Sequence, residues 1–333
     1  MHNPATTFKA HVCDRYGDHH DLTIRELPLP LPATGEILVG NRAFAVGFPD
    51  LLTIQGKYQR KPALPFVPGG EFCGDVVAVG AGVTQFRAGE AVMGTALLGA
   101  YAEMVIAPAE NCFHLPPSFD YVRGAAFQTA YKTAYVGLVE RGGLKPGETL
   151  LVHGAAGGVG LAAVEMGKVL GATVIATAAS AAKLRVAAGK GADHTINYAD
   201  GSFRDAVRTL TNGRGADVIF DPVGGDVFDE SLHCIAPFGR LLVIGFASGR
   251  ISNAPVNYAL IKQMSIVGVR AGEFGRLDPE GGRRVNDALL AFAHADKLHP
   301  HIHARFSFDD VVRAFDEICA RTVIGRIVVM VTQ

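Results

Sequence analysis

A glycine-rich turn between an apolar strand and a helix is the feature that most constrains this chain. It lies within Leu150–Val164, which reads LLVHGAAGGVGLAAV. The turn is a variant of the G-x-G-x-x-G fingerprint, with Ala155, Gly157 and Gly160 at its three positions. A strand that ends in such a turn and leads into a helix is typical of the first βαβ unit of a dinucleotide-binding sheet.

The residues of this turn are predicted to hold a pyrophosphate. Gly157 lets the backbone approach the phosphates, and Gly160 allows the helix to pack closely on the strand. Gly158 and Val159 begin the helix, whose unsatisfied N–H groups face an anion. We therefore expect Ala156, Gly157, Gly158 and Val159 to contact the cofactor.

The order of strand and helix patterns predicts an α/β protein with two domains. From about Leu150, short strands alternate with amphipathic helices, which indicates a doubly wound parallel sheet. The first third instead has short β runs between glycine turns, typical of an irregular antiparallel β domain. The two strands near the end are expected to return to that domain, and Asp309 is expected to cap the helix between them. The predicted segments are 1–125 for the first part of the β domain, 126–265 for the nucleotide domain and 266–333 for the second part.

Composition excludes several classes of protein. The chain of 333 residues carries 31 basic and 32 acidic residues, so no basic surface for nucleic acid is expected. It has no apolar run of the 18 or so residues that a bilayer span needs, and its N-terminus lacks the pattern of a secretory signal. These features predict a soluble cytoplasmic protein with neither a membrane nor a nucleic acid as partner.

The cysteines and histidines predict no metal site. The five cysteines are far apart and form no C-x-x-C pair, so we expect reduced thiols. His299, His301 and His303 alternate along a predicted strand and would share a face, but Pro300 and the lack of an adjacent carboxylate favour ordinary surface histidines. The pair His19–His20, in a polar loop, has still less to favour it as a ligand set.

Motifs along the whole chain identify a family. HGAAGGVGLAAVEMGKVLGA, LPFVPGGEFCGDVVAVGAGV, IQGKY, TAYKTAY, GADHTINY, FDPVGG and the closing GRIVV occur in this order. Together they resemble the zinc-independent quinone oxidoreductases of the medium-chain dehydrogenase/reductase superfamily. The resemblance implies a GroES-like, mostly β catalytic domain built from both chain ends, with a Rossmann domain inserted between them. It also implies NADPH as hydride donor and a quinone or another activated carbonyl compound as acceptor. With the exposed edge expected at SIVGV, it further implies a homodimer paired through the nucleotide domain.

The residues after the second Rossmann strand favour NADPH over NADH. An NAD site usually has Asp or Glu there, but the strand TVIATA is followed by Ala179, Ser180 and two alanines. No carboxylate would repel a 2′-phosphate, and Lys183 follows within reach. The resemblance implies that Lys183 and Tyr198 contact that phosphate, with Ser180 nearby.

Three further residues are expected to contact the cofactor. Arg326, in GRIVV, is a weaker candidate for a cofactor phosphate. Backbone groups near Phe246 and Val269 are expected, from the resemblance, to hold the nicotinamide.

Positions that hold zinc in related alcohol dehydrogenases lack ligands here. The resemblance places Gly47 at the first ligand position and Gly70 at the histidine position, and Glu71 alone makes a poor site. The cluster of four cysteines that holds a second zinc is also absent. We therefore predict hydride transfer without zinc.

Without a metal, hydrogen-bond donors must stabilise the developing oxyanion. Tyr58 in IQGKY and Tyr131 in TAYKTAY match positions that line the cleft in the resembling family and are the predicted catalytic residues. Gly47 replaces a common Asn, and Arg270–Ala271 replaces an aromatic pair, which indicates either a wider pocket or an anionic substrate bound by Arg270.

Two other functions stay open on the sequence. One is an enoyl-thioester or 2-enal reductase of the same superfamily, in which Tyr58 would donate a proton. The other is a low-turnover NADPH-binding sensor or structural protein.

Overall fold

The computed structural model describes residues 6–332, the side chain of Asp200 excepted. The chain divides into two compact units. The first comprises the residues up to Gln128 together with those from Ile302 onward, and the second is Thr129–His301. The two ends of the chain therefore belong to one unit, into which the other is inserted.

The bounds of the elements follow in chain order. The leading segment of the first unit contains β1 (Thr7–Val12), β2 (Thr23–Pro28), β3 (Glu36–Val46), α1 (Phe48–Ile54), β4 (Glu71–Val79), β5 (Ala91–Thr95), β6 (Met104–Pro108), β7 (Cys112–His114) and the start of α2 (Tyr121–Tyr135). The second unit contains the π-helical turn Val136–Arg141, β8 (Thr149–Val152), α3 (Gly158–Val169), β9 (Thr173–Ala178), α4 (Ala181–Gly189), β10 (His194–Asn197), α5 (Phe203–Leu210), β11 (Ala216–Asp221), α6 (Asp226–Cys234), β12 (Ile235–Val243), α7 (Asn257–Lys262), β13 (Ser265–Gly268), α8 (Ala271–Leu277) and α9 (Pro279–His294). The closing segment contains β14 (Ile302–Ser307), α10 (Val311–Cys319) and β15 (Arg326–Met330).

The main sheet of the first unit joins both ends of the chain. Its order is β14-β15-β3-β4-β5-β7, and β6 also pairs with β3. The closing strand β15 pairs antiparallel with β3, from Ile327 opposite Val46 to Met330 opposite Ala43. The prediction that the last strands return to the β domain is confirmed. The core of this unit includes Phe44, Tyr101 and Phe315, all fully buried.

The second unit is a doubly wound parallel sheet. Its order is β10-β9-β8-β11-β12-β13, and every neighbouring pair is parallel. Numbered within this unit the order is 3-2-1-4-5-6, the arrangement of dinucleotide-binding sheets. The predicted α/β fold class is confirmed. Successive strands are added to one side of β8 and then, from β11 onward, to its other side. Sheets of this kind bind ligands at the junction between these two halves, here between β8 and β11.

Two boundary predictions differ from the structure. Residues 266–301 belong to the second unit, because β13 pairs with β12 and α8 packs against α9 and the π-helical turn. The predicted cap Asp309 lies inside a 3-10 turn, Phe308–Asp310, and α10 begins only at Val311. Asp310 precedes that helix, and its carboxylate accepts hydrogen bonds from Ser307 and Arg313.

No helix in the part of the chain that the structure describes combines the length and the apolar character needed to cross a lipid bilayer. The five cysteines are free thiols; Cys319 is exposed and the other four are buried.

Candidate functional site

The turn between β8 and α3 is held by its own backbone. Gly154 has a φ of +53°, a conformation that glycine adopts without strain, and it turns the chain away from the strand. The Gly157 N–H donates to the Gly154 carbonyl at 2.9 Å, and the Ala155 N–H donates to the Thr177 carbonyl of β9 at 3.0 Å. The turn is therefore fixed to the neighbouring strand.

The two later glycines of the fingerprint have different roles. A Cβ on Gly160 would lie 2.8 Å from the Ala155 Cα and closer still to the Gly154 carbonyl oxygen, so close helix packing requires glycine there. A Cβ on Gly157 would lie 3.4 Å from that oxygen, an ordinary contact, so the fold itself does not require this glycine. Gly157, Gly158 and Val159 are partly exposed at the start of α3. A bare, accessible helix N-terminus at the sheet junction suits a pyrophosphate.

His153, which sequence reasoning did not single out, lies fully buried just before this turn. Its Nε2 lies 2.8 Å from the Ser231 Oγ, whose hydroxyl donates to the Val227 carbonyl, and its Nδ1 lies 2.9 Å from the Thr177 Oγ1. Ser231 must therefore accept from Nε2–H, which assigns the neutral Nε2–H tautomer. Burial lowers the pKa of His153 to about 3. The only sequence signal was a histidine within an apolar run.

The residues predicted to contact a 2′-phosphate follow two adjacent strands. Ser180 comes after β9, and Tyr198 directly follows β10. Because β8, β9 and β10 are parallel neighbours, their carboxyl ends share the sheet edge at which the glycine turn lies. Ser180 also caps α4, because its Oγ accepts from the Lys183 N–H at 3.4 Å. Lys183 is partly buried in the first turn of α4.

The loops after β11 and β12 lie against each other. Asp221, missed on the sequence, is buried at the end of β11 and accepts from the N–H groups of Val223 and Gly224 at 2.8 and 2.9 Å. Burial raises the pKa of Asp221. The Phe246 ring lies beside Gly224, and the Phe246 carbonyl accepts from Gly249.

The backbone N–H of Val269 is already engaged. It donates to the Val243 carbonyl at 3.0 Å. If Val269 binds the nicotinamide through its backbone, it would therefore do so through its carbonyl oxygen. Arg270 is exposed, and its guanidinium lies 3.7 Å from the Glu273 carboxylate.

Tyr131, predicted to be catalytic, is buried inside the second unit. Its hydroxyl donates to Glu165 Oε2 at 2.5 Å. The same carboxylate accepts from Lys190 Nζ at 2.9 Å and from the His299 N–H at 2.9 Å, and Lys190 also bonds to the His299 carbonyl. Burial and the Glu165 charge hold the pKa of Tyr131 well above its usual value. A phenol this enclosed holds helices together, and this environment favours a structural role over the predicted catalytic one.

Tyr58 has the opposite environment. It follows α1 in a partly exposed segment, and its backbone N–H donates to the Leu52 carbonyl at 3.1 Å. Its hydroxyl makes no hydrogen bond to any residue between 6 and 332. The phenol is therefore free to donate to a ligand.

Arg326 forms a buried ion pair in the first unit. Its Nη2 lies 2.6 Å from Glu71 Oε2, and the two side chains are only 11% and 4% exposed. Arg326 Nε has no hydrogen-bond acceptor among residues 6–332. Because the guanidinium is enclosed and paired with a carboxylate, its environment disfavours the predicted role as a ligand of the cofactor phosphate.

Gly47 and Asp50 complete this cluster. Asp50 Oδ2 accepts from the Gly47 N–H at 2.9 Å. Burial raises the pKa of Asp50 to about 6, against the opposing effects of Tyr101 and Arg326. A Cβ on Gly47 would lie 3.3 Å from Arg326 Nη1 and 3.4 Å from Asp50 Oδ2. A side chain at position 47 would thus press on the Arg326 guanidinium, which would have to shift to make room for it.

Two family models match the chain. Residues 33–117 match the alcohol dehydrogenase GroES-like domain, and residues 158–282 match the zinc-binding dehydrogenase domain. The first match lies in the β unit and the second in the doubly wound unit.

Curated and solved proteins match over nearly the whole chain. A quinone oxidoreductase-like protein 2 homolog from Nematostella vectensis is 40% identical over 90% of this chain and 83% of its own length. A quinone oxidoreductase from Pseudomonas aeruginosa is 35% identical over 95% and 97% of the two chains. A mycobacterial protein solved in complex with NADPH has a TM-score of 0.90 at 31% identity, covering 97% of this chain and 99% of that one.

Proposed function

Because this chain belongs to the quinone oxidoreductase family of the medium-chain dehydrogenase/reductase superfamily, we propose that it reduces quinones or similar activated carbonyl compounds with NADPH, by direct hydride transfer without zinc. The chain is an oxidoreductase. The substrate class, the choice of NADPH and the independence from zinc are the proposed part.

The observation that carries the proposal is the accessible glycine turn at the junction of the parallel sheet. The N–H groups at the start of α3, together with the bare backbone at Gly157, fit a pyrophosphate. When bound, a dihydronicotinamide supplies a hydride to the acceptor. The protein's contribution is to bind and orient that cofactor.

NADPH is favoured by the residues beyond β9 and β10. Ala179 and Ser180 provide no carboxylate to repel a 2′-phosphate, and Lys183 and Tyr198 stand at the same sheet edge. A lysine beside a phosphate gains a charge-assisted hydrogen bond. NADPH bound to a structural relative supports the same choice.

Independence from zinc is supported by what surrounds position 47. Gly47 and Gly70 offer no ligand atom, and Glu71 is paired with Arg326. Structural zinc sites use four protein ligands and catalytic sites use three, commonly sulfur or imidazole, and this cluster supplies only carboxylates and a guanidinium. Arg326 therefore holds a positive charge beside Gly47, which the resemblance matches to the first zinc-ligand position, and a positive charge there disfavours a bound cation.

Steady-state kinetics test the proposal. NADPH and NADH oxidation are compared with 1,4-benzoquinone as acceptor, for the wild type and the Lys183→Ala variant. We expect NADPH to be preferred, and Lys183→Ala to lower kcat/KM for NADPH by roughly tenfold or more while leaving NADH within about twofold. Arg185→Ala, on the exposed side of the same helix, is the matched control and should change neither value. Equal use of both cofactors by the wild type would contradict the NADPH assignment.

A second candidate, reduction of a 2-enoyl thioester or 2-enal, is favoured by the unpaired hydroxyl of Tyr58. A double-bond reductase must protonate carbon after hydride transfer, whereas a hydroquinone takes its proton from water. Tyr58→Phe is therefore expected to leave quinone reduction within about threefold. A loss of two orders of magnitude or more with an enoyl thioester, and not with the quinone, would favour the second function. If the protein binds NADPH but none of the activated acceptors leads to NADPH oxidation, the third function, a low-turnover binding protein, is favoured.

We also propose a homodimer formed through the second unit. β13 is an edge strand, and large apolar side chains on it and in the segment of chain before it are exposed, among them Ile251, Val256, Leu260, Ile261 and Ile266. Edges and apolar patches of this kind are usually covered by another chain. Sedimentation velocity should give twice the chain mass, and Leu260→Lys should shift the protein to monomer; a wild-type monomer at micromolar concentration would refute the dimer.

A further inference from the structure

Two imidazoles and two carboxylates meet on the first unit, outside the Arg326 cluster. Asp18 precedes the 3-10 turn that carries His19 and His20, whose ring centroids are 4.2 Å apart. Asp18 Oδ1 lies 3.3 Å from His19 Nδ1 and 2.7 Å from His20 Nδ1. Asp316 Oδ1, on α10, lies 2.9 Å from His19 Nε2 and 3.2 Å from His20 Nε2. Both Nδ1 atoms therefore face Asp18, and both Nε2 atoms face Asp316.

Neutral imidazoles cannot satisfy this arrangement alone. Each ring has one N–H, and the shortest distances assign these to His20 Nδ1 and His19 Nε2. The lone pairs of His19 Nδ1 and His20 Nε2 would then point at carboxylate oxygens 3.3 and 3.2 Å away, which is repulsive. The His19 side chain is only 8% exposed, so little room is left for water to separate its Nδ1 from Asp18.

A cation on the Asp18 side removes the conflict. If both rings carry the proton on Nε2, both N–H groups donate to Asp316, and both Nδ1 lone pairs point toward Asp18. This is the carboxylate–histidine–metal arrangement, in which an outer carboxylate fixes the tautomer and orientation of the ligand rings.

Asp18 Oδ1 lies 3.3 Å from His19 Nδ1, a spacing that suits a small divalent ion, and 2.7 Å from His20 Nδ1, a distance that must lengthen when an ion replaces the proton between them. A tetrahedral zinc ion bound at about 2.0–2.1 Å holds its ligand atoms roughly 3.3 Å apart. One ligand atom each from Asp18, His19 and His20 lie within 4.8 Å of one another, and no other group of three such residues in the described chain does so. The alternating histidines 299, 301 and 303 are not such a group: His303 accepts from the Ile324 N–H, and His299 lies 3.6 Å from Asp296.

We propose that Asp18, His19 and His20 bind a divalent transition-metal ion such as Zn²⁺, with Asp316 accepting a hydrogen bond from each Nε2–H. Two imidazoles and one carboxylate suit zinc and leave an open coordination position for water. Asp18 and His20 are more than half exposed, so the ion can enter from solvent. The site would connect the 18–21 turn to α10, whose Phe315 ring packs 5.6 Å from His19. It is independent of the proposed reductase activity.

Calorimetric titration of tag-free protein with Zn²⁺ tests the proposal. We expect one ion per chain. His20→Ala and Asp18→Asn should weaken binding by roughly 100-fold, and Asp316→Asn, which removes only the outer carboxylate, by roughly 10-fold. Asn at position 18 can still accept from the His20 N–H and so keeps the turn capped. His303→Ala, which removes another histidine near a carboxylate in the same unit, is the matched control and should bind as the wild type does.

Thermal melting separates metal binding from folding. Zn²⁺ should raise the melting temperature of the wild type and of His303→Ala but not that of His20→Ala, while all three melt alike without the ion. Desolvation and, after it, the charges of Asp316 and Asp18 raise the pKa of the Cys319 thiol. Because these two carboxylates are its neighbours, Cys319→Ser is titrated as well and should keep full affinity. Binding that survives in His20→Ala, or that is lost in Cys319→Ser, would overturn the assignment.

Discussion

The Tyr131 hydroxyl donates a 2.5 Å hydrogen bond to Glu165, a residue 34 positions later in the chain. Glu165 in turn bonds to Lys190 and to the His299 backbone, so one buried carboxylate joins α2, α3 and the segments after α4 and α9. A residue that resemblance placed in catalysis thereby acquires a structural role in the second unit.

Tyr131→Phe is therefore expected to lower stability more than activity. Loss of a hydrogen bond to a buried carboxylate costs about 1.5–3 kcal/mol, while kcat/KM for NADPH should stay within about twofold. The control is Tyr121→Phe, which removes a 2.7 Å bond to the partly exposed Asp75 and should cost about 1 kcal/mol or less. Urea unfolding and steady-state kinetics give the two values, and a large loss of kcat at unchanged stability would restore Tyr131 to catalysis.

Asp50→Asn is expected to stabilise the protein at alkaline pH. Burial raises the folded pKa of Asp50 to about 6, above the unfolded 3.8, so the folded state binds the extra proton. The free energy of unfolding of the wild type thus decreases as the pH rises from 3.8 to about 6, by at most about 3 kcal/mol once Asp50 is ionised. Asn keeps the acceptor for the Gly47 N–H without the charge.

The difference in free energy of unfolding between Asp50→Asn and the wild type should therefore be greatest near pH 8. At pH 5 this difference should be smaller by about 1.5 kcal/mol. Urea unfolding of both proteins across this range measures it. An advantage that does not change with pH would show that Asp50 keeps an ordinary pKa.

His153 is expected to make the protein sensitive to acid. Its folded pKa of about 3 lies below the unfolded 6.5, so the unfolded state takes up a proton that the buried ring does not. The contribution of His153 to the free energy of unfolding is therefore complete above pH 6.5. Below that pH the free energy of unfolding falls by about 1.4 kcal/mol per pH unit, or about 2 kcal/mol by pH 5.

In His153→Gln this part of the acid dependence should disappear, although the variant is less stable at pH 7 because the contacts with Thr177 and Ser231 are disturbed. Unfolding free energies at pH 7, 6 and 5 provide the comparison. Parallel pH profiles for the two proteins would refute the buried neutral histidine.

Substitutions of the glycines in the turn should separate effects on NADPH binding from effects on protein stability. Gly157→Ala introduces only an ordinary contact, so stability should change by less than about 1 kcal/mol, while a methyl group facing the phosphates should weaken NADPH binding by roughly tenfold or more. Gly160→Ala forces Cβ against the turn backbone and should cost about 3 kcal/mol or more. Gly189→Ala, with open space at its Cβ, is the control and should bind NADPH normally. Unchanged NADPH affinity in Gly157→Ala would place the phosphates elsewhere.

Periodic patterns carried the prediction of the fold. The alternation of apolar strands and amphipathic helices from Leu150 onward fixes a parallel sheet, because such strands need crossover helices. The return of the closing strands to the first domain followed from the strand-rich character of both chain ends, although their pairing with β3 did not. The second boundary was misplaced because helices lie on both sides of it, α7 before it and α8 and α9 after it, so the local pattern does not change there. Only the pairing of β13 with β12 and the packing of α8 on α9 and on the π-helical turn assign these residues to the second unit.

The buried polar contacts could not be predicted in this way. Nothing near Tyr131 or His153 in the sequence names Glu165 or Ser231, since these partners come from other elements that the sheet brings close. Asp316 lies 297 residues after His19, so the carboxylate that orients the histidine pair is invisible in the local sequence. Local patterns report which face of an element is buried, whereas contacts between distant elements depend on the finished packing.

The position of Arg326 beside Gly47 limits how the chain could change its chemistry. A cysteine introduced at position 47 would meet a guanidinium nitrogen that is held in place by Glu71, rather than a vacant coordination sphere. A metal-dependent alcohol dehydrogenase therefore does not lie one substitution away from this protein. Positions 47, 70 and 326 would have to change together, and each intermediate would carry either a crowded side chain or an unpaired buried charge.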